Sequence, residues 1–150
     1  MVEEELGPSR DQRIIDDQQL KLLSIFHFIG AGLAGLGVFF VIGHYALFST
    51  LMNNSAAWQG NAPPPPPEFW EIFRWFYVVM GLWLGADLVL NLLAGRYLRA
   101  RKHRTFCIVV AAMNCLQMPL GTILGIFTIV VLARDSVRAS FAVRTGASLE

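Results

Sequence analysis

Two long stretches of this 150-residue chain carry no Asp, Glu, Lys or Arg: one between Lys21 and Glu68, the other between Arg104 and Arg134. The surface of a small soluble domain outweighs its core, so a domain of this length cannot bury two such stretches. Charged residues make up 15% of the chain, against about 25% in soluble domains. A lipid bilayer accommodates long uncharged stretches as membrane-spanning helices. The pattern therefore predicts an integral membrane protein.

The distribution of apolar residues predicts one all-α domain, a four-helix transmembrane bundle preceded by an N-terminal interfacial helix. Residues 1–20 are predicted to form a cytoplasmic tail and the interfacial helix, with Ser9 in a capping position. The membrane helices are predicted at 22–48, 69–95, 104–118 and 120–138, with a cytoplasmic tail at 135–150. Five consecutive prolines end the loop between the first two helices. They favour a stiff polyproline II spacer or, alternatively, a segment that binds a partner.

The stretch 105–133 permits two interpretations. As one helix its 29 residues would extend about 43 Å, which is longer than the hydrocarbon core of a bilayer. As two helices it provides only about 21 Å for each. Pro119 disfavours helical backbone at the residue before it, and Gly121 permits a turn. The sequence therefore predicts a tight hairpin whose outer turn is Pro119 to Thr122.

The distribution of basic residues predicts the orientation in the membrane. Five Lys or Arg lie between Arg96 and Arg104, three in the N-terminal segment and three in the C-terminal tail. The loop at 49–68 contains none. Because cytoplasmic loops are enriched in Lys and Arg, both termini are predicted to be cytoplasmic. We expect a multi-pass protein of a cell inner membrane, in contact with membrane lipids.

Four polar residues within the apolar segments are candidates for a buried cluster: His27, Asp87, Asn91 and Thr128. Each lies five to nine residues from a charged residue at the cytoplasmic end of its helix, and a helix rises 1.5 Å per residue. They are therefore predicted to lie at a similar depth. Ionisable groups in a membrane often mark a functional site, here one that accepts a proton or binds a ligand. The alternative is a set of interhelical hydrogen bonds that stabilise packing.

The second histidine in the apolar segments, His44, lies 17 residues beyond His27, or about 25 Å along a helix. The two cannot bind one metal ion, and His44 is predicted to lie near the outer surface. Haem ligation would require Met80, Met113 or a second copy of the chain as the source of the other axial ligand. The sequence therefore predicts no cofactor.

Small residues recur at the four-residue spacing that lets membrane helices approach closely. The predicted packing residues are Gly30, Ala34, Gly37, Gly81, Gly85, Gly121 and Gly125, and the predicted hairpin residues are Pro119 and Gly121. Such positions favour tight packing, either within the chain or between copies of it.

Several functional classes lack support in the sequence. There is no nucleophile elbow, zinc-protease motif or phosphate-binding loop, so no catalytic residue and no metal site is predicted. The net charge of +1 does not indicate binding to nucleic acid. Cys107 and Cys115 lie about 12 Å apart if both are on one helix, and are interpreted as small apolar residues.

Two segments carry recognisable motifs: the segment 20–27, which ends in His27, and the segment 106–132, with its Asn114-Cys115 pair and its Pro119-x-Gly121-Thr122 turn. Together they resemble a group of small bacterial four-helix membrane proteins that have no assigned activity. The resemblance covers the membrane helices and neither tail. It implies the four-helix fold and a bacterial inner-membrane location, and no reaction.

Two functional hypotheses follow. In the first, the chain is a non-enzymatic membrane protein that acts through helix packing, as a homo-oligomer or as an accessory subunit bound to another membrane protein. In the second, it is a small transporter or proton-linked conduit that uses His27 and Asp87.

Overall fold

The computed structural model of the chain describes residues 10–54, 66–117 and 119–146, with side chains as far as residue 142. All regular structure in these ranges is α-helical, as the sequence predicts. The helices are α1 (Arg10–Asn53), α2 (Pro67–Ala100), α3 (Arg104–Asn114), α4 (Leu120–Ala133) and α5 (Asp135–Gly146). The predicted cap at Ser9 and most of the predicted proline segment lie outside the described residues.

Helices α1 and α2 have the length and composition of membrane-crossing helices. They contain 44 and 34 residues, whereas about 20 suffice to cross the hydrocarbon core of a bilayer. The predicted boundary near residue 21 between an interfacial helix and a membrane helix is not observed. Helix α1 continues through it, because no proline lies between Arg10 and Asn53. Helix α2 begins with Pro67, whose missing N–H is tolerated in the first turn of a helix.

Helices α3 and α4 form the predicted hairpin, although each is shorter than predicted. Helix α3 ends at Asn114 rather than near residue 118, and Gly121 and Thr122 belong to the first turn of α4 instead of the connecting turn. The Thr122 hydroxyl donates a hydrogen bond to the carbonyl of Cys115 over 2.9 Å. This bond satisfies a backbone acceptor at the end of α3, where the helix itself supplies no partner.

Glycines allow the two helices of this hairpin to approach closely. A Cβ atom on Gly121 would lie 2.5 Å from the carbonyl oxygen of Asn114. A Cβ atom on Gly125 would collide with the carbonyl oxygen of Ala111 and would lie 2.5 Å from the Sγ atom of Cys115. Any larger residue at these positions requires the helices to separate.

The predicted fourth membrane helix, 120–138, is divided in the structure, and the predicted tail contains a fifth helix. Arg134 has an extended backbone (φ −63°, ψ 138°), and α5 is bent by 74° relative to α4. The Arg104 guanidinium donates to the carbonyl of Leu132 over 2.9 and 2.7 Å, and so caps the end of α4. Asp135 then lies in the first turn of α5, where a negative charge is favourable. Together α4 and α5 form at most one broken span.

The described residues divide into two compact units. Unit 1 contains Met1–Gly30 and Leu90–Glu150, and unit 2 contains Ala31–Val89. The apolar core of unit 1 draws residues from all five helices: Leu20, Leu23, Leu98, Cys107, Val131, Leu132, Val137 and Phe141. In unit 2, α1 and α2 run antiparallel, as the approach of Gly35 to Leu88 and of Gly37 to Leu84 indicates.

Candidate functional site: a buried polar cluster

Apart from Asp16 on α1, five polar side chains of unit 1 are buried among the described residues. Their exposed fractions are at most 3%, and they are contributed by α1 (Ser24, His27), α2 (Asn91), α3 (Asn114) and α4 (Thr128). Buried polar groups are costly unless they are hydrogen-bonded. Among the described residues, no buried side-chain nitrogen or oxygen is without a hydrogen-bond partner. These five residues are called the polar cluster.

The polar cluster is centred on a pair of asparagines. The amide of Asn114 donates to Oδ1 of Asn91 over 2.8 Å, and the amide of Asn91 donates to Oδ1 of Asn114 over 3.3 Å. This reciprocal pair joins α2 to α3 and orients both amides. Gly30 on α1 lies beside this pair, and a Cβ atom at that position would make an ordinary contact of 3.8 Å with Oδ1 of Asn91.

His27 binds to this pair through its Nδ1 atom, which lies 2.8 Å from Oδ1 of Asn91. Since Oδ1 can only accept, Nδ1 of His27 carries the proton and donates. The hydrogen bond therefore selects the tautomer of the neutral ring, in which Nε2 carries a lone pair.

The other ring nitrogen of His27 faces α4. Its Nε2 atom lies 3.4 Å from the hydroxyl of Thr128, and that hydroxyl donates to the carbonyl of Leu124 over 2.7 Å. The hydroxyl oxygen keeps lone pairs available to Nε2. Both ring nitrogens of His27 thus face oxygen atoms that accept hydrogen bonds. With a neutral ring, Nε2 forms a hydrogen bond with Thr128 only if the hydroxyl turns to donate to Nε2 instead of to Leu124, whereas an imidazolium would donate from both nitrogens to these oxygens.

Ser24 lies one turn before His27 on α1 and donates to the carbonyl of Gly95 over 2.8 Å. The Phe28 ring would lie 3.1 Å from a Cβ atom on Gly95, so the glycine lets α1 and α2 approach at this level. Ser24 is not one of the four residues of the predicted cluster. Ser24 lies three residues before His27, which puts both on one helix face. This spacing is the sequence feature that could have placed Ser24 in the cluster.

The structure brings together three of the four predicted cluster residues: His27, Asn91 and Thr128. Asp87 lies on α2 in unit 2, one helical turn before Asn91, and is half-buried. Its pairing with His27 stays a prediction. Asn114 was noted as a polar residue but not assigned to the cluster, since its depth depends on where α3 turns into α4.

Two arginines of unit 1 form polar and ionic contacts with residues of α1. The Arg101 guanidinium forms an ion pair with Asp17. Arg134 donates to Gln19 over 2.9 Å and lies 3.8 Å from the carboxylate of Asp16. These contacts tie the α2–α3 connection and the α4–α5 bend to the first turns of α1. In the sequence these arginines predict only the orientation of the chain, because their contacts depend on tertiary structure.

The predicted small-residue positions differ in their surroundings. Ala34 is buried, and Gly37 lies against α2, where its added Cβ would be 3.3 Å from Leu84. Around Gly81 and Gly85, by contrast, no neighbouring atom of the described residues lies within 4 Å of an added Cβ. Close packing at these two glycines therefore stays a prediction.

His44 lies in unit 2 and is exposed, in a cluster of exposed and half-buried aromatic residues. Its Nδ1 atom is 2.6 Å from the hydroxyl of Tyr77, and the rings of Phe40 and Phe48 lie on either side of it along α1. Among the described residues, no group of three or more His, Cys, Asp or Glu side chains is arranged to hold a metal ion. Comparisons of the chain with protein-family models, curated proteins and solved structures give no match.

Proposed function

We propose that the chain is a non-enzymatic, multi-pass protein of the bacterial inner membrane that acts by packing against other copies of itself or as an accessory subunit. In this proposal α1 and α2 cross the bilayer, the α3–α4 hairpin inserts beside them, and both termini are cytoplasmic. Lipid then surrounds the apolar surface, and the partner is a helical membrane protein.

The observation that carries the proposal is the apolar surface of unit 2. Phe39, Leu36 and Leu82 expose 78%, 67% and 70% of their surface. Water disfavours so large an apolar surface, whereas hydrocarbon chains accommodate it. The basic residues between Arg96 and Arg104 lie in the last turns of α2 and in the connection to α3, which supports the cytoplasmic assignment of this end of α2.

Association between helices is supported by the open space beside Gly81 and Gly85. Membrane helices gain little from the hydrophobic effect when they associate, so their contacts depend on close approach at small residues. The two glycines lie one turn apart on α2, and the space beside them is not occupied by side chains of the described residues. They are suited to receive a helix from another chain.

The test is purification in a mild detergent, with molar mass measured by light scattering and partner bands identified on the same column. We expect a homo-oligomer or a complex with another membrane protein. Gly81→Ile is expected to reduce the assembled fraction. Gly43→Ile is the matched control, because Gly43 also faces open space but lies on α1. A monomer with no partner, or equal effects of the two substitutions, would contradict the proposal.

A second candidate is a proton-linked conduit, which the hydrogen bonding of His27 favours. Because both ring nitrogens face oxygen acceptors, the ring can gain a proton at Nε2 without losing its bond to Asn91. Asp87, which lies one turn before Asn91 on α2, is the candidate for the next group that would carry the proton. This function would use the polar cluster as a site rather than as a packing contact.

Proteoliposomes that contain a pH-sensitive dye test the second candidate. We expect His27→Gln and Asp87→Asn to abolish proton movement driven by a pH gradient, and His44→Gln to leave it unchanged. Wild-type vesicles that conduct no faster than protein-free vesicles would rule this candidate out and leave the packing function.

A further inference from the structure

Unit 2 contains a cavity of about 380 Å³ between the last turns of α1 and the first turns of α2. Its walls are formed by the aromatic rings of Phe48, Trp70, Phe73 and Tyr77. A cavity of this size matches the lower part of the range found for small-molecule sites. It is separate from the polar cluster, which lies in unit 1.

The rings form a continuous aromatic wall. The centroid of Phe48 lies 5.8 Å from that of Trp70 and 5.4 Å from that of Phe73, and the centroids of Phe73 and Tyr77 are 6.3 Å apart. Aromatic faces carry negative partial charge and attract a cation within about 6 Å, with Trp the strongest. Several rings around one space are suited to an ammonium group.

The same cavity is also lined by one acidic and one basic residue. The Arg74 guanidinium lies 3.1 Å from the Glu71 carboxylate, and their side chains are 56% and 64% exposed. An ion pair this exposed contributes little to stability. Both groups retain hydrogen-bonding capacity for a ligand, since the carboxylate accepts at two oxygens and the guanidinium donates at five N–H groups.

We propose that this cavity binds the headgroup of a zwitterionic phospholipid. The ammonium group lies against the aromatic wall and Glu71, and the phosphate is bound by Arg74. Charge complementarity supports this ligand, because a zwitterion matches both members of the ion pair, whereas an anionic headgroup would place a second negative charge beside Glu71. The assignment to a lipid rests on the proposed membrane insertion, which puts these helix ends at the bilayer surface with their aromatic residues.

Native mass spectrometry of the purified protein tests the proposal. The protein is supplied with phosphatidylethanolamine or phosphatidylglycerol with the same acyl chains. We expect one tightly retained phosphatidylethanolamine per chain and at least about tenfold weaker retention of phosphatidylglycerol. Equal retention of the two lipids would overturn the proposal, while the molar mass of the assembly reports separately on the proposed packing function.

Variants identify the cavity as the site. Trp70→Ala and Glu71→Gln are each expected to weaken retention of phosphatidylethanolamine about tenfold. Trp70→Phe preserves an aromatic face and is expected to retain the lipid, which separates loss of binding from loss of folding. The matched control is Trp75→Ala, because Trp75 is 60% exposed on the same helix and does not line the cavity. Unchanged retention by Trp70→Ala, or equal loss in Trp75→Ala, would overturn the proposal.

A competition experiment distinguishes the source of the headgroup. Soluble phosphoethanolamine carries the same ammonium and phosphate groups without acyl chains. We expect it to displace the lipid only at concentrations at least about a hundredfold higher, because it lacks apolar contacts with α1 and α2. Displacement at equal concentration would show that the ligand is a soluble zwitterion, and would overturn the assignment to a lipid.

Discussion

Units 1 and 2 share the apolar helices α1 and α2 but differ in what they bury. Unit 1 buries a hydrogen-bonded polar cluster and an apolar core shared by five helices. In unit 2 the buried side chains among the described residues are Ala31 and Ala34, whereas exposed large apolar side chains occur in both units. Unit 1 is therefore specified by contacts within the chain. The stability of unit 2 depends more strongly on the surrounding solvent, which we propose to be lipid.

The largest effect is expected from filling the closest helix contact of unit 1. Gly125→Leu would place a side chain against the backbone of α3, so the hairpin could not close. We expect a loss of at least about 3 kcal/mol, seen as a strongly reduced yield of folded protein and a lower thermal midpoint in detergent. Gly43→Leu is the matched control in unit 2, where the position faces open space. Similar losses in both variants would remove the distinction between the units.

The next effect is expected from the asparagine pair. Asn91→Leu would leave Nδ1 of His27 and the amide of Asn114 without their partner in an apolar interior. We expect a loss of about 2 kcal/mol in the free energy of unfolding, measured by denaturant titration in mixed micelles. Ser49→Ala, which removes an exposed hydroxyl–carbonyl bond of 3.0 Å in unit 2, should change it by less than about 0.5 kcal/mol.

A double-mutant cycle sharpens this result. If Asn91 and Asn114 act as one reciprocal pair, replacing Asn114 by Leu in the Asn91→Leu background should cost less than it does in the wild type. A coupling energy of zero would mean that the asparagines contribute independently, contrary to the geometry of the pair.

A smaller effect is expected from Thr128→Val, which preserves shape and removes the hydroxyl. We expect a loss of about 1 kcal/mol, because Nε2 of His27 loses its contact with the Thr128 hydroxyl. Thr50→Val is the control. Each threonine donates to a carbonyl four residues earlier over 2.7 Å, and Thr50 is exposed in unit 2. The difference between the variants reports the contact with His27 together with the burial of Thr128, and equal losses would show that neither contributes.

The main features of the fold follow from sequence patterns that act locally. Uncharged apolar stretches are sufficient to predict α1 and α2, and Pro119 with Gly121 is sufficient to predict the hairpin. Depth counted from the basic residues placed His27, Asn91 and Thr128 at one level, because helical rise is constant. A packing role is also predicted for Gly121 and Gly125, and the structure shows that the residues they pack against lie on α3 and at its C-terminal end.

Features that depend on tertiary contacts were not predicted. Helix α5 has a mixed polar sequence that does not indicate a packed helix. Its packing is evident only from the structure, in which Val137 and Phe141 lie in the core of unit 1. The ion pair between Arg101 and Asp17 joins residues that are far apart in the sequence. The inclusion of Asn114 in the polar cluster depends on the length of the turn after α3, which local propensity does not determine.

The smallest effect is expected from Tyr77→Phe in unit 2. This substitution removes the 2.6 Å contact between the Tyr77 hydroxyl and His44 but preserves the ring that lines the aromatic cavity. Because the pair is exposed, water or lipid headgroups can replace the lost bond, and we expect a change below about 0.5 kcal/mol. His27→Phe in unit 1, by contrast, should cost about 2 kcal/mol, because Oδ1 of Asn91 loses a buried hydrogen bond and Thr128 loses its contact with the ring. Measured in the same micelles, a loss for Tyr77→Phe as large as that for His27→Phe would mean that unit 2 is also specified by internal polar contacts.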